Sequence, residues 1–168
     1  DGLVATTDVL VSGGTITGVT GGGAGTQLAA DASAKGLKAG SNVVIGGGTV
    51  TLDSADDAIH SDSVVSITDG TLALSTGDDG VHAEESLSIA GGSVTVERSY
   101  EGLEGTDILI SGGEIDVTSS DDGLNVSADT ASADGRGGGM QTIDGGVVVS
   151  GGTVVLNAGG DGFDSNGD

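Results

Sequence analysis

The sequence predicts an all-β fold, a solenoid of the parallel β-helix type with about seven coils. Two independent marks recur along the chain with one period. The second acidic residue of a D-D-G motif recurs in steps of 22, 22 and 21 residues, at Asp57, Asp79, Glu101 and Asp122. A corner glycine, the second of a G-G pair in three units and of Asp69–Gly70 in the fourth, follows the same steps, at Gly48, Gly70, Gly92 and Gly113. A unit of this length cannot bury its own apolar face, so successive units must stack.

The amino-acid composition also favours a narrow solenoid interior. The 168 residues include 35 glycines, no proline, no cysteine and two aromatic residues, Tyr100 and Phe163. A conventional globular core needs more aromatic and leucine volume than this. Disorder is disfavoured, because valine, isoleucine and leucine recur in short, regularly placed runs.

Each unit is predicted to contain short strands with alternating apolar and polar positions, as in LSIAGGSVTV. The G-G pairs mark corners that need a positive φ. The chain is predicted to be one domain over residues 1–168, with insert loops at about 18–34 and 127–145 and incomplete first and last coils. Leucine-rich repeats are excluded because their Asn/Cys signature is missing, and calcium-binding RTX rolls because their nonapeptides are absent.

The charge of the chain excludes one class of partner. Acidic residues number 26 against four basic residues, which gives a formal net charge of −22. Phosphate binding needs lysine and arginine, so a nucleic-acid partner is excluded. No run is long and apolar enough to be a membrane-spanning helix. Many carboxylates need either solvation or neutralisation by metal cations, and their alignment favours the metal.

A ladder of carboxylates is predicted where the D-D-G motifs stack. Equivalent positions in neighbouring coils lie ~4.8 Å apart, and like charges at that distance repel by roughly 3.5 kcal/mol at an effective dielectric constant of about 20. Hard oxygen ligands without cysteine are typical of calcium, so several Ca²⁺ ions are expected. The predicted ladder comprises Asp57, Asp79, Glu101, Asp122 and Asp161. A flanking column comprises Asp56, Asp78 and Asp121.

A second polar column lies three residues beyond the ladder and is expected to point outward beside it. Its members are Lys38, His60, His82, Glu104, Asn125 and Asp164. Three interpretations of the two histidines stay open: stacked surface residues, metal ligands, or hydrogen-bond donors to a ligand. A zinc site is disfavoured, because no third histidine or cysteine completes it. The predicted ligand-binding residues are Lys35, Lys38, His60, His82, Glu104 and Asn125.

The C-terminal sequence DGFDSNGD is a separate candidate for calcium. Asp164, Asn166 and Asp168 alternate as in a D-x-N-x-D calcium loop, and Gly167 permits the turn. An EF-hand is excluded, because its terminal glutamate and flanking helices are absent. The alternative is a solvated acidic corner.

Four stretches carry a resemblance to a known family: GGTVTLDSADDAIHS, GDDGVHAEESLSIAGGSVTV, EGLEGTDILISGGEIDVTSSDDGLNVS and NAGGDGFDSNGD. They cover most of residues 34–168 and resemble the parallel β-helix carbohydrate-binding domains typified by a clostridial calcium-binding, cellulose- and pectin-binding surface protein. The chain departs from the family pattern at Ala58, where glycine is usual, and after DSNG, where a further strand is expected. The resemblance implies a right-handed, polysaccharide-lyase-like β-helix with calcium ligands at Asp56, Asp57, Asp78, Asp79, Glu101, Asp121, Asp122 and Asp161.

The resemblance also implies a function. We expect a non-catalytic, secreted or cell-surface module whose partner is a plant-type polysaccharide, either pectin or polygalacturonate, or cellulose. Two alternatives stay open. A calcium-assisted uronate lyase would need a base, for which Lys35 and Lys38 are the candidates. A structural surface fibre would self-associate through the ends of its coils, whose strand edges are expected to lack caps.

Overall fold

The computed structural model describes residues 1–29, 31–127 and 145–165, and within these ranges the protein consists of β-strands with no α-helix. All the pairings between these strands are parallel, and the sheet they form is not closed into a barrel. The strands are β1 Leu3–Ala5, β2 Asp8–Thr20, β3 Leu37–Ala39, β4 Asn42–Ser54, β5 Ile59–Ser61, β6 Val64–Thr76, β7 Val81–Ile89, β8 Ser93–Ser99, β9 Leu103–Ile110, β10 Glu114–Ser119, β11 Leu124–Val126, β12 Gly146–Val149, β13 Thr153–Ala158 and β14 Phe163–Ser165.

The register of the pairing follows the period seen in the sequence. Leu37 pairs with Ile59, Ile59 with Val81, and Val81 with Leu103, each a step of 22 residues. Leu103 then pairs with Leu124, a step of 21 residues. The predicted all-β class is therefore confirmed, and the residues that the period makes equivalent lie side by side on neighbouring strands.

The interior is a column of aliphatic side chains that comes from the alternating pattern of the strands. Leu37, Ile59, Leu103 and their equivalents are 0% exposed, and each such burial contributes about 1.5–3 kcal/mol. Phe163 pairs with Leu124 and so continues the register of this column, but it is 55% exposed. The reason is that β14 pairs with β11 alone among the described strands, so no neighbouring strand covers its other side.

The two kinds of recurring glycine have different physical roles. The corner glycines Gly48, Gly70, Gly92 and Gly113 all have a positive φ, as predicted; φ is 79° at Gly92 and 89° at Gly113. The glycine of the D-D-G motif is needed for close approach instead. A Cβ on Gly80 would lie 2.5 Å from the carbonyl oxygen of Gly102. Ala58 is accommodated at the equivalent position with an ordinary backbone conformation and is fully buried.

The predicted insert loops are described only in part. β2 continues to Thr20, inside the range 18–34, and the described residues after it form turns and irregular chain. Of the loop predicted at 127–145, only Ser127 and Gly145 fall within the described residues. No helix in the described ranges has the length and apolarity needed to span a membrane.

Candidate functional site

The D-D-G segments are held along one edge by main-chain hydrogen bonds. The amide of Gly80 donates to the carbonyl of Glu101 over 3.0 Å, and the amide of Gly102 donates to the carbonyl of Asp122 over 2.9 Å. The same bond recurs between the other described segments, so their acidic residues follow one another in a column. This acidic column contains Asp57, Asp79, Glu101, Asp122 and Asp161.

Burial within the acidic column decreases along the chain. Asp57 is 1% exposed and Asp79 is 6% exposed. Glu101 and Asp122 are half-buried, whereas Asp161 is exposed. A buried charge without a partner is strongly destabilising, so the buried end needs counter-charges from the protein itself.

Lys35 supplies that counter-charge at the buried end. Its Nζ lies 2.9 Å from Oδ1 of Asp56 and 2.5 Å from Oδ2 of Asp57. The Nδ1 atom of His60 lies 2.9 Å from the same oxygen of Asp57. Asp56 also accepts a hydrogen bond from the amide of Ala34 over 3.0 Å. A single ammonium group therefore occupies the space between two carboxylates that the sequence assigned to calcium.

The pKa values at this end reflect the same contacts. Burial alone would raise the pKa of Asp57, but the hydrogen bond from His60 and the charge of Lys35 hold it at about 2. Burial would lower the pKa of Lys35, but the neighbouring Asp57 carboxylate more than offsets this and raises it. The pair is therefore an ammonium and a carboxylate at neutral pH, and Lys35 cannot act as a general base there.

The middle of the column is organised around two histidines. The rings of His60 and His82 meet edge to face with centroids 4.9 Å apart. Nδ1 of His82 lies 3.4 Å from Oδ2 of Asp79 and 3.4 Å from Oε2 of Glu104. Burial, the hydrogen bond with Glu104 and the nearby charge of Asp57 raise the pKa of Asp79 to about 11. In the cation-free protein, a proton therefore stays on Asp79 and reduces the repulsion between carboxylates.

Several of these side chains are close enough to share a metal ion. Within the described residues, the ligand atoms of each group lie within 4.8 Å of one another. The groups are Asp57, His60 and His82; Asp79, His82 and Glu104; Asp56, Asp57 and Asp78; and Glu101, Asp121 and Asp122. In the first three groups a lysine or histidine already contacts at least one of the carboxylates.

The fourth group differs, because no basic side chain in the described part of the chain makes an ion pair with it. Burial raises the pKa of Glu101, which accepts a hydrogen bond of 2.6 Å from Nδ2 of Asn125. The Oδ1 atom of Asn125 is buried and has no hydrogen-bond partner among the described residues. We call Glu101, Asp121, Asp122 and Asn125 the cation centre. Carboxylate and amide oxygens are the donors that a hard cation such as calcium prefers, and three carboxylates that lie together without a basic partner fit that donor set.

The remaining predicted residues lie in register with these. Lys38 pairs with His60 and Asn125 pairs with Asp164, so the second polar column is continuous along the strands. The sequence predicted that the side chains of this column point outward. In the structure they are buried or half-buried. The amide of Asp161 donates to Oδ1 of Asp122 over 2.7 Å. Asn166 and Asp168 lie outside the described residues.

A groove that the repeat pattern does not predict lies next to the cation centre. The groove has a volume of about 410 Å³ and is lined by Thr76, Gly77, residues 97–100 and residues 118–120. Tyr100 stands where the neighbouring segments carry the first aspartate of the D-D-G motif. The only signal for the groove in the sequence is this replacement of an acidic residue by an aromatic one.

An all-β chain with a carboxylate edge and an open polar groove has the features of a ligand-binding domain. A sequence model of the carbohydrate-binding domain-containing protein family matches residues 1–80 and residues 78–168, which together span the chain. The protein therefore belongs to the carbohydrate-binding domain-containing protein family, and carbohydrate is its ligand class. No curated protein and no solved structure matches the chain.

Proposed function

We propose that the protein is a calcium-binding carbohydrate-binding module of a secreted or cell-surface protein, which adheres to plant-type polysaccharide such as pectin or polygalacturonate, or cellulose. The observation that carries the calcium proposal is the cation centre, in which Glu101, Asp121 and Asp122 converge without a basic partner among the described residues. The buried Oδ1 of Asn125 offers a further oxygen. The carbohydrate part rests on the family to which the chain belongs.

The fold proposed for this module is a right-handed parallel β-helix of about seven coils. The parallel pairing at steps of 22 and 21 residues supports it. So does the recurrence of positive-φ glycines at one corner of each segment. Right-handed connection between parallel strands is the strong preference of proteins built from L-amino acids. In such a fold each coil adds one more residue to every column, so the acidic edge follows directly from the period.

At the cation centre, calcium would neutralise carboxylates that otherwise repel one another. Glu101, Asp121 and Asp122 would hold it through their carboxylate oxygens, and Asn125 through its amide oxygen. The two buried members of the acidic column have other means of neutralisation, because Lys35 pairs with Asp57 and a proton stays on Asp79. We therefore place the calcium requirement at the less buried end of the column.

A terbium titration tests the calcium proposal, with terbium as a luminescent substitute for calcium. The chain has one tyrosine and no tryptophan. Tyr100 lies next to Glu101 in the chain, and the nearby carboxylate of Asp121 raises the pKa of its hydroxyl. Excitation of tyrosine should therefore produce terbium emission that added calcium displaces. Calcium should also raise the melting temperature, and chelation should lower it.

The matched variants are Asp122→Asn in the cation centre and Asp116→Asn on the exposed side of β10. Asp122→Asn should reduce the affinity for terbium by at least about tenfold, because a carboxylate ligand is lost. Asp116→Asn should leave it unchanged. If both variants give equal terbium emission, the cation centre does not bind calcium. The same conclusion follows if a chelator leaves the melting temperature unchanged.

Polysaccharide pull-down, with and without a chelator, tests the binding function. We expect retention on polygalacturonate or cellulose and no release of unsaturated oligouronides. The lyase alternative is weakened by Lys35, whose raised pKa keeps it protonated and bound to Asp56 and Asp57. Ultraviolet-absorbing products from any uronate polymer would favour the enzyme, whereas absence of retention on every polysaccharide would reject the binding module.

A further inference from the structure

The groove beside the cation centre lies where three neighbouring strands end. β6 ends at Thr76, β8 at Ser99 and β10 at Ser119, and all three residues line it. Three strands spaced by about 4.8 Å span about 10 Å, so an extended ligand lying across them contacts three segments at once. The volume of about 410 Å³ falls in the range of small-ligand sites.

The middle strand is irregular at this place. Val96 pairs with Leu74, but the next pairing joins Ser75 to Arg98, so Glu97 is an extra residue in the ladder. The pairing between β8 and β10 also shifts here. A β-bulge changes the direction of side chains and is over-represented next to functional sites. Glu97 and Arg98 are both exposed at the groove as a result.

Arg98 is the basic residue that lines the groove of this acidic chain. The formal net charge is −22, with four lysine and arginine residues in all. Lys35 contacts two carboxylates, whereas Arg98 makes no ion pair or side-chain hydrogen bond within residues 1–29, 31–127 and 145–165. A guanidinium group without an internal partner can bind a carboxylate of a ligand through two parallel hydrogen bonds.

Tyr100 supplies the apolar part of the same groove. Its side chain is 48% exposed. The neighbouring carboxylate of Asp121 raises the pKa of its hydroxyl, and the aromatic surface of the ring is accessible. Ser99 and Ser120 line the groove beside it; Ser99 is buried, whereas Ser120 is exposed and its Oγ donates to the carbonyl of Ser99 over 3.2 Å.

We propose that this groove is the saccharide-binding site and that it selects a uronate unit of an acidic polysaccharide. Arg98 pairs with the uronate carboxylate, Tyr100 contacts the face of the sugar ring, and the hydroxyl of Ser120 contacts a ring hydroxyl. This inference rests on the carbohydrate-binding function proposed above and adds the position of the site and the class of sugar. In this proposal the positive charge of Arg98 binds the sugar, and the carboxylates of the cation centre bind the metal ion and do not contact the sugar.

Oligogalacturonate and neutral cello-oligosaccharide are the two probes of this site. Since Tyr100 is the one tyrosine and the chain has no tryptophan, its emission should change saturably as oligogalacturonate is added to the wild-type protein. Calorimetry then compares the variants. Arg98→Gln and Tyr100→Ala should each weaken oligogalacturonate binding about tenfold, the size expected for one lost charge-assisted contact in the first variant and one lost aromatic contact in the second. Both variants should keep the wild-type melting temperature, because both side chains are exposed.

Leu10→Asp is the matched control for Arg98→Gln. It changes the net charge by the same amount at a position that is 70% exposed and outside the groove, and binding should be unchanged. If Arg98→Gln and Tyr100→Ala bind oligogalacturonate as tightly as the wild type, the groove is not the binding site, whereas the proposed carbohydrate-binding function stands. Tighter binding of cello-oligosaccharide would overturn the uronate assignment, and absence of binding to either probe would reject the proposed function together with the groove.

Discussion

Lys35 shows how one residue changes the requirement for a metal. The sequence places Asp56 and Asp57 in a ladder of like charges, and the structure places an ammonium group 2.9 Å and 2.5 Å from their oxygens. The repulsion expected between neighbouring carboxylates is therefore compensated within the protein at this end. Asp57 is 1% exposed, so it depends on that compensation more than any exposed carboxylate does.

Replacing Lys35 by methionine should therefore destabilise the protein substantially. Removing one partner of a buried ion pair costs about 3 kcal/mol, because the other charge stays buried and unpaired. Chemical denaturation in calcium-free buffer measures the free energy of unfolding. Lys38→Met is the matched control, since Lys38 makes no ion pair within the described residues, and it should cost less than about 1 kcal/mol. Equal losses from both variants would contradict the role given to Lys35.

At the scale of the strands, the corner glycines set how closely neighbouring segments stack. Gly92 has a φ of 79°, and a Cβ there would lie 2.7 Å from the carbonyl oxygen of Gly70. The corner thus needs glycine both for its backbone conformation and for the space it leaves. Gly46 lies in β4 near an equivalent corner, but its φ is not in the left-handed region and the nearest atom to a built Cβ is 3.7 Å away.

The comparison of Gly92→Ala with Gly46→Ala isolates this effect. Gly92→Ala should lower the free energy of unfolding by about 2 kcal/mol, since an L-residue in the left-handed region costs roughly 1–2 kcal/mol before any steric clash. Gly46→Ala should change it by less than about 0.5 kcal/mol. Denaturant titration of both variants provides the measurement, and a Gly92→Ala protein as stable as Gly46→Ala would show that the corner can relax.

For the whole molecule, the net charge of −22 makes stability depend on pH and on cations. Two buried aspartates act in opposite directions. The pKa of Asp57 is lowered to about 2, so its contribution is fully present above pH 4 or so and is lost only as the pH falls towards 2. The pKa of Asp79 is raised to about 11, so folded Asp79 keeps a proton that the unfolded chain releases above about pH 4.

The calcium-free protein should therefore lose stability as the pH rises from 5 to 8, because the folded state binds one more proton than the unfolded state. Asp79 contributes at most about 1.4 kcal/mol per pH unit to this slope. Asp79→Asn should reduce the slope, whereas the exposed Asp107→Asn should keep it. Denaturation in chelator at several pH values gives the slopes, and identical slopes for Asp79→Asn and wild type would rule out a protonated Asp79.

The sequence by itself determined the all-β class, the register of the strands and the membership of both polar columns. It could do so because parallel pairing at a constant step brings equivalent residues together whatever their chemistry. The tertiary structure decided how each carboxylate is neutralised, since that depends on burial and on which side chain reaches it: Lys35 at Asp57, a proton at Asp79, and no basic side chain within the described residues at Glu101. It also decided the groove at Arg98, because a bulge can form in β8 without any change in the spacing of the motifs.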